Sequence, residues 1–433
     1  MNIQGQQVRG AWRGRRHLSP APGAFIAALH GATPLFKNSL YLMLSTLVLA
    51  VFGIFFWALV TRAFTTEQVG LASTLVAVMT FVNSFSLLGL NAGLIRYLPK
   101  SGHRERQISS SVVMVALVSV GFSLLFLLFV DRFAPRLAFV THSLLFAAAF
   151  VLFVALSSLN AVVEGVFIAL RGAEWVFVKN LTISLLKLGL PLALLSLGAY
   201  GIFSAVGGAI AVAVILSCLV MRLRFGVRLS LTVNLGLIKQ MALFSLGNYI
   251  VTALGMVPLI VLPLLITDTV GPRTTAYYYM AMTIATMIYI IPQATTQSLL
   301  AEGAHDESRM RELIGKSARL IAAVLAPTVV IAVTCGNHAL LFFGKEYARE
   351  GFALLQLLAL SSVFVSINYV LWTILNIRYR IKTLILINTS GTAAIIGLSY
   401  LLIPHGLVGV GLAWLGGQAL MSLLYASGTR KWL

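Results

Sequence analysis

The chain has 433 residues, of which 59% are hydrophobic and only 10% charged, with a mean hydropathy of +0.95. Soluble domains carry about a quarter charged residues, so this composition excludes a soluble globular protein and points to a polytopic membrane protein. The net charge of +19 is not a nucleic-acid footprint, because the basic residues sort by side of a membrane.

Residues 1–35 are basic and rich in Gly, Ala and Pro, with Arg9, Arg13, Arg15 and Arg16. They lack an apolar core and a cleavage site, and read as a disordered cytoplasmic arm rather than a signal peptide. Apolar runs follow near 39–60, 71–94, 108–130, 143–170, 178–197, 202–221, 241–266, 275–298, 313–334, 352–376, 383–402 and 406–426. Each approaches the ~20 residues that a bilayer requires of a helix. The runs are continuous, whereas a barrel strand alternates. The expectation is an all-α protein of about twelve transmembrane helices. The first span holds no ionisable residue. After it, Thr66 is placed to cap the second helix, and Glu67 suits its positive end. The second span closes on Leu88-Gly89-Leu90-Asn91, with Arg96 at its mouth.

With the N-terminus in the cytoplasm, 24 of the 31 Lys and Arg residues fall on one side, six on the other, and Lys187 inside a span. The positive-inside rule then places both termini in the cytoplasm. Cys218 and Cys335 stand alone in apolar runs, without the spacing of a disulfide framework or metal site.

The stretch 160–208 recurs 208 positions later, without gaps. Asn160 returns as Asn368, Asn180 as Asn388, Gly198 and Gly201 as Gly406 and Gly409, and Gly208 as Gly416. Matches on Asn and Gly are not supplied by a shared apolar background. The chain therefore reads as a duplicated half, with an N-lobe over 36–224 and a C-lobe over 225–433. Six helices per copy make the repeats parallel, with substrate between them. Near offset 206, Arg96 matches Glu302, which places these two charges at equivalent depths.

The segment Thr65-Thr66-Glu67-Gln68-Val69-Gly70, followed by a span closing on Gly89-Leu90-Asn91 and Leu94-Ile95-Arg96-Tyr97, resembles the start of the polysaccharide transporters. These are the oligosaccharide and O-antigen flippases of the multidrug/oligosaccharidyl-lipid/polysaccharide exporter superfamily. Phe343-Gly344-Lys345-Glu346-Tyr347-Ala348, Leu371-Trp372-Thr373-Ile374-Leu375-Asn376 and His405-Gly406-Leu407-Val408-Gly409 extend the resemblance over roughly 35–426. It implies two six-helix lobes forming a V, with a central cavity exposed alternately to either side of a bacterial inner membrane. It also implies a polyprenyl-phosphate-linked oligosaccharide as substrate, membrane lipids and glycan polymerase or chain-length proteins as partners, and no cofactor. A cation-coupled multidrug antiporter of the same superfamily is the rival, but such proteins usually carry a carboxylate in the first helix. A membrane-embedded glycan polymerase or ligase usually carries a large outer loop.

Candidate transport residues follow from charge and polarity within spans. Glu164 and Lys187 each lie seven or eight residues from a basic turn, about 10–12 Å in depth, and are expected to pair. An isolated intramembrane charge costs about 2.5–3.5 kcal/mol even on lenient scales. Arg96, Arg171 and Arg378 sit at inner span ends, where guanidinium groups suit phosphate oxygens; snorkelling anchors are the alternative. Asn91 precedes Arg96 at the same mouth; Asn83, Asn248, Tyr249, Gln293 and Asn376 are placed either to bond sugar hydroxyls or to hold helices together, and Tyr277, Tyr278 and Tyr279, at a helix end, read as an interfacial aromatic belt rather than a surface that stacks on sugars. Pro258, Pro263, Pro292 and Pro327 crowd the second half, which is expected to bend more.

Overall fold

The computed structural model describes residues 34–305 and 310–430, so the arm over 1–33 lies outside the described residues. Thirteen α-helices cover it: α1 (Pro34–Ala63), α2 (Thr66–Ser86), α3 (Leu90–Tyr97), α4 (Arg104–Phe133), α5 (Leu144–Ala169), α6 (Ala173–Ala193), α7 (Gly198–Phe225), α8 (Leu235–Thr269), α9 (Pro272–His305), α10 (Met310–Leu341), α11 (Lys345–Ile377), α12 (Ile381–Leu402) and α13 (Gly406–Thr429). No strand occurs among the described residues. Each of the twelve expected spans falls on one long helix, except the second, which is divided between α2 and α3. Ten stretches are long and apolar enough to cross a membrane, and the last of them, Ile381–Thr429, takes in both α12 and α13. The Thr-, Tyr- and Gln-bearing α9 is not among the ten.

The helices form two lobes with one packing plan. In the first, α1 packs on α6, α4 on α5, and α7 on both α5 and α6. In the second, the equivalent helices repeat these pairings: α8 on α12, α10 on α11, and α13 on both α11 and α12. The duplicated residues build duplicated turns. Gly198 and Gly406 follow short 3-10 turns and adopt φ of +55° and +64°, a region open to Gly. A Cβ on Gly201 would stand 2.1 Å from the Leu194 carbonyl oxygen, and one on Gly409 1.9 Å from that of Leu402. At the basic turns, Arg171 and Tyr379 share φ of +59° and +53°. There the Gly172 N–H donates to the Phe167 carbonyl at 2.8 Å, and the Arg380 N–H to that of Leu375 at 2.9 Å.

These close approaches have a measurable consequence. Gly201→Ala forces a Cβ against rigid backbone, and overpacking of this kind costs about 1–3 kcal/mol. Gly189 has nothing within 4 Å of its would-be Cβ. Gly201→Ala is expected to lower the melting midpoint in detergent, and Gly189→Ala to leave it in place. Equal midpoints would show that the turn has slack.

Two local expectations change. The residue capping α2 is Thr65, not Thr66: its side chain accepts from the Gln68 N–H, and the Gln68 side chain returns the bond in a capping box. That leaves Thr66 free to bond elsewhere. The second span breaks at Leu88 (φ +48°) and Gly89 (φ +73°). A non-Gly residue in this region costs roughly 1–2 kcal/mol. The break frees carbonyls of α2, and the hydroxyl of Tyr249, from the other lobe, donates to that of Ser84. By contrast, α8, α9 and α10 run as helix through their four interior prolines.

Candidate functional site

The lobes meet firmly at the end opposite the basic loops. A Cβ on Gly70 of α2 would lie 1.7 Å from the Pro272 carbonyl oxygen at the start of α9. Thr74 shares a 2.7 Å hydrogen bond with Thr267 of α8, which in turn bonds Thr275 at 2.8 Å. Trp57 of α1 packs on Tyr279, with ring centroids 4.8 Å apart. Glu346 accepts from Thr66 at 3.3 Å and from Tyr277 at 3.0 Å, and pairs with Arg273 at 3.5 Å. Tyr277 and Tyr278 are buried here rather than forming an interfacial belt.

Following α9 toward the other end shows where the lobes part. Pro272, Thr275 and Tyr279 face the first lobe, and the same helical stripe continues through Thr286, Ile290, Gln293 and Gln297. All four of those are exposed. On α1, the stripe that begins at Trp57 continues through Gly53 and Ala50 to Thr46 and Met43. Thr46 and Met43 are exposed, and nothing lies within 4 Å of where a Gly53 Cβ would stand. Toward the end that carries Arg96, Arg171 and Arg378 the stripes of α1 and α9 are thus exposed rather than packed on each other, and the space between them is the candidate cleft. Its other edge stays closed. There the Ser84 hydroxyl donates to the Met256 sulfur at 3.3 Å, and a Cβ on Gly93 would meet Met241 at 2.7 Å. Exposed or half-buried hydroxyls and amides on α2, α8 and α9 are the candidates to face it: Thr80, Ser84, Thr252, Thr286, Gln293 and Gln297. Such groups bond sugar hydroxyls or water without the cost of a buried charge. The sequence placed Gln293 among the polar span residues but missed the threonines, because a Thr in an apolar helix carries no signal of which way it faces.

Glu164 pairs with Lys179, not with Lys187. The Lys179 ammonium donates to the Glu164 carboxylate at 3.0 Å and to the Asn160 side-chain oxygen at 2.7 Å. Its side chain is 1% exposed, against 36% for that of Glu164. The expected pairing fails because α6 starts at Ala173, five residues before the expected span. Lys187 therefore lies about 21 Å along the helix rather than 12 Å, and Lys179 is a bundle residue, not a loop residue. Lys187 instead sets its ammonium 4.8 Å from the centroid of the Phe56 ring, a cation–π contact. The second lobe holds Trp372 and Ile387 at the positions equivalent to Glu164 and Lys179, so the pair belongs to one copy alone.

The other candidates disperse. Arg96, on α3, is exposed and lies 5.8 Å from the neighbouring Tyr97 ring. Asn91 presses on Gly165, where a Cβ would lie 1.8 Å from its side-chain oxygen, and that oxygen is buried without a partner. Arg171 is exposed and lines a pocket of about 270 Å³ with Arg104, Pro99, Ala169 and Leu170. Asn376 donates to the Trp372 carbonyl at 3.5 Å, within its own helix. Arg378 is half-buried. The side chains of Asn248 and Glu302 lie outside the described residues. Among the described residues no group of three or more His, Cys, Asp or Glu is placed to hold a metal ion.

The fold is thus two lobes of apolar helices that meet at one end. The chain belongs to the polysaccharide biosynthesis protein family, whose model matches residues 35–291, more than half of its length. Among solved structures it is similar to the lipid II flippase MurJ in an inward closed conformation, with a TM-score of 0.70 and 12% identity over 90% of this chain and 87% of that one. It is also similar to an inward-facing multidrug resistance MATE family transporter of the MOP superfamily, with a TM-score of 0.69 and 12% identity over 87% and 94% of the two chains. A third is a MOP superfamily transporter from Pyrococcus furiosus, with a TM-score of 0.64 and 13% identity over 93% and 97%. At these identities the likeness is one of fold. No curated protein matches the chain by sequence.

Proposed function

We propose that the protein is a flippase that exports a polyprenyl-phosphate-linked oligosaccharide across a bacterial inner membrane, both termini being cytoplasmic, for surface or exopolysaccharide assembly. The observation that carries this reading is the candidate cleft: exposed Thr286, Gln293 and Gln297 on α9 continue the stripe that closes the other end, and the basic loops with Arg96 and Arg171 lie at its open end. A glycan head needs many neutral hydrogen-bond partners and a phosphate needs a cation at the entry. Family membership supports the same reading. The closed end is then the outer gate, and transport alternates by separating Gly70 from Pro272 and Glu346 from Thr66 while the inner cleft closes.

A potential negative inside favours outward movement of an anion by about 2.3 kcal/mol per charge per 100 mV, so no nucleotide hydrolysis or other enzymatic step is required. The likeness to a multidrug transporter and the partly open carboxylate of Glu164 favour a second reading, cation-coupled drug export. Against it, α1 contains no acidic residue.

The test is outward appearance of labelled lipid-linked oligosaccharide in vesicles with an imposed potential. The rate is expected to rise with inside-negative potential, and to fall more in Arg96→Ala than in Arg96→Lys, because Lys keeps the charge and loses the paired donors. A protein that moves cationic dyes but no lipid-linked glycan is the antiporter instead.

A further inference from the structure

A cavity of about 630 Å³ lies at the closed end, on the flank of the molecule. Phe55, Ala58, Leu59, Arg62 and Ala63 of α1 form one wall, Leu188 and Leu192 of α6 a second, and Phe342, just past α10, the third. Its lining is apolar except for one guanidinium, that of Arg62. No acidic residue lines it. Arg62 is held loosely: it donates to the Phe342 carbonyl at 3.4 Å, at the long limit for such a bond, and lies 5.8 Å from the Phe342 ring. The Phe342 ring also meets Phe55 edge-on at 5.9 Å. A second cation stands behind the wall, since Lys187 sits against Phe56 and precedes Leu188. Among the described residues Lys187 has no ion-pair partner.

From this we infer that the slot is a separate lipid site for the outer end of the transport path, taking one polyprenyl phosphate with its phosphate on Arg62 and its chain between α1 and α6. The inference rests on the flippase reading for the identity of the lipid. Its size falls within the ~300–1,000 Å³ of ordinary ligand pockets, which pair apolar walls with a few polar groups that orient the ligand. One cation and one apolar slot match one phosphate and one chain, whereas a phospholipid brings two chains. The site is distinct from the polar cleft, which faces the opposite end and suits the glycan.

Occupancy has a structural consequence. A phosphate offers a guanidinium two charge-assisted hydrogen bonds, each stronger than a stretched bond to a carbonyl. Arg62 would therefore exchange Phe342 for the phosphate. That removes one of the contacts joining α1 to the second lobe, so a carrier arriving at this end loosens the closure that must open to release the head.

The experiment is photolabelling of the full-length protein in nanodiscs with a diazirine-bearing polyprenyl phosphate, followed by mapping of the labelled peptides. Label is expected on α1 near residues 55–63 and on α6 near 188–192. Arg62→Gln is expected to reduce it at least roughly tenfold, the factor that a lost charge-assisted hydrogen bond carries. Leu192→Trp, which fills the slot and keeps the charge, is expected to do the same. The corresponding polyprenol should label poorly, and phosphatidylglycerol should compete poorly. Both variants are first checked for parental melting; if Arg62→Gln fails that check, Leu192→Trp alone decides. Label confined to the cleft, label unchanged in Leu192→Trp, or equal competition by phosphatidylglycerol overturns the site and leaves the flippase reading intact. An absence of label anywhere on the protein overturns both.

Discussion

Glu164→Leu is expected to destabilise the protein more than Lys179→Met, although the two remove the same ion pair. The difference lies in what each leaves behind. Glu164→Leu strands an ammonium whose side chain is 1% exposed, with only the Asn160 oxygen as partner. Stranding one member of a buried pair costs about 3–5 kcal/mol. Lys179→Met strands a carboxylate that keeps 36% of its surface and can draw on water, so its cost falls below that range. The double variant leaves no unpaired charge and is expected to recover most of the loss, because buried pairs contribute little net stability over apolar replacements. The measurement is a thermal melt in detergent of the four proteins. A double variant no better than Glu164→Leu refutes direct pairing. The swap of Glu164 with Lys187 is expected to bring no rescue, since the latter lies at another depth against Phe56.

The second large effect concerns the gate. Gly70→Val should push the lobes apart at their closed end. The would-be Cβ stands 1.7 Å from the Pro272 carbonyl oxygen, and contacts under 3.0 Å essentially do not occur. The Pro272 carbonyl oxygen and carbon, the latter at 2.5 Å, both belong to backbone, so no side chain can turn aside. The helices must separate by more than 1 Å, which also stretches the Thr74–Thr267 bond nearby. The protein is then biased toward opening at that end. Spin labels placed near the first residues of α2 and α11 should report a longer distance than in the parent, and under the flippase reading proposed above glycolipid transport should fall to background because the closed state is no longer reached. Gly53→Val, at a position with open space, is the control. Parental distances in Gly70→Val would show that α2 and α9 are not tightly docked.

Much of this architecture was legible in the sequence for a physical reason. A residue that must be Gly for backbone clearance cannot drift, so Gly201 and Gly409 marked the duplication, and the structure gives both the same close contact with a preceding carbonyl. Hydropathy located the long helices because lipid demands long apolar runs. It could not locate their first residues, since an apolar residue reads alike inside a helix and before it. That uncertainty of about five residues moved Lys187 onto the depth of Glu164 and hid Lys179. The break at Leu88 and Gly89 was equally silent, as Leu-Gly-Leu continues an apolar run. The closed end joins Thr66 to Glu346 and Arg62 to Phe342, both pairs 280 residues apart. No local pattern announces a partner at that distance. Yet two segments that carried the family resemblance, Thr65–Gly70 and Phe343–Ala348, proved to meet there.

The basic turn between α5 and α6 recurs between α11 and α12 with its backbone kept and its residue changed. Its left-handed residue is Arg171 in one copy and Tyr379 in the other. Neither is the glycine that such a backbone prefers, and the two have nothing chemical in common, yet φ and the hydrogen bond that follows agree closely. The two copies thus share the shape of the turn without sharing the side chain at its left-handed residue. The Glu164–Lys179 pair has no such counterpart, since Trp372 and Ile387 stand at the equivalent positions. Transplanting the pair onto Trp372 and Ile387 would therefore add a charge network to a lobe that now packs without one.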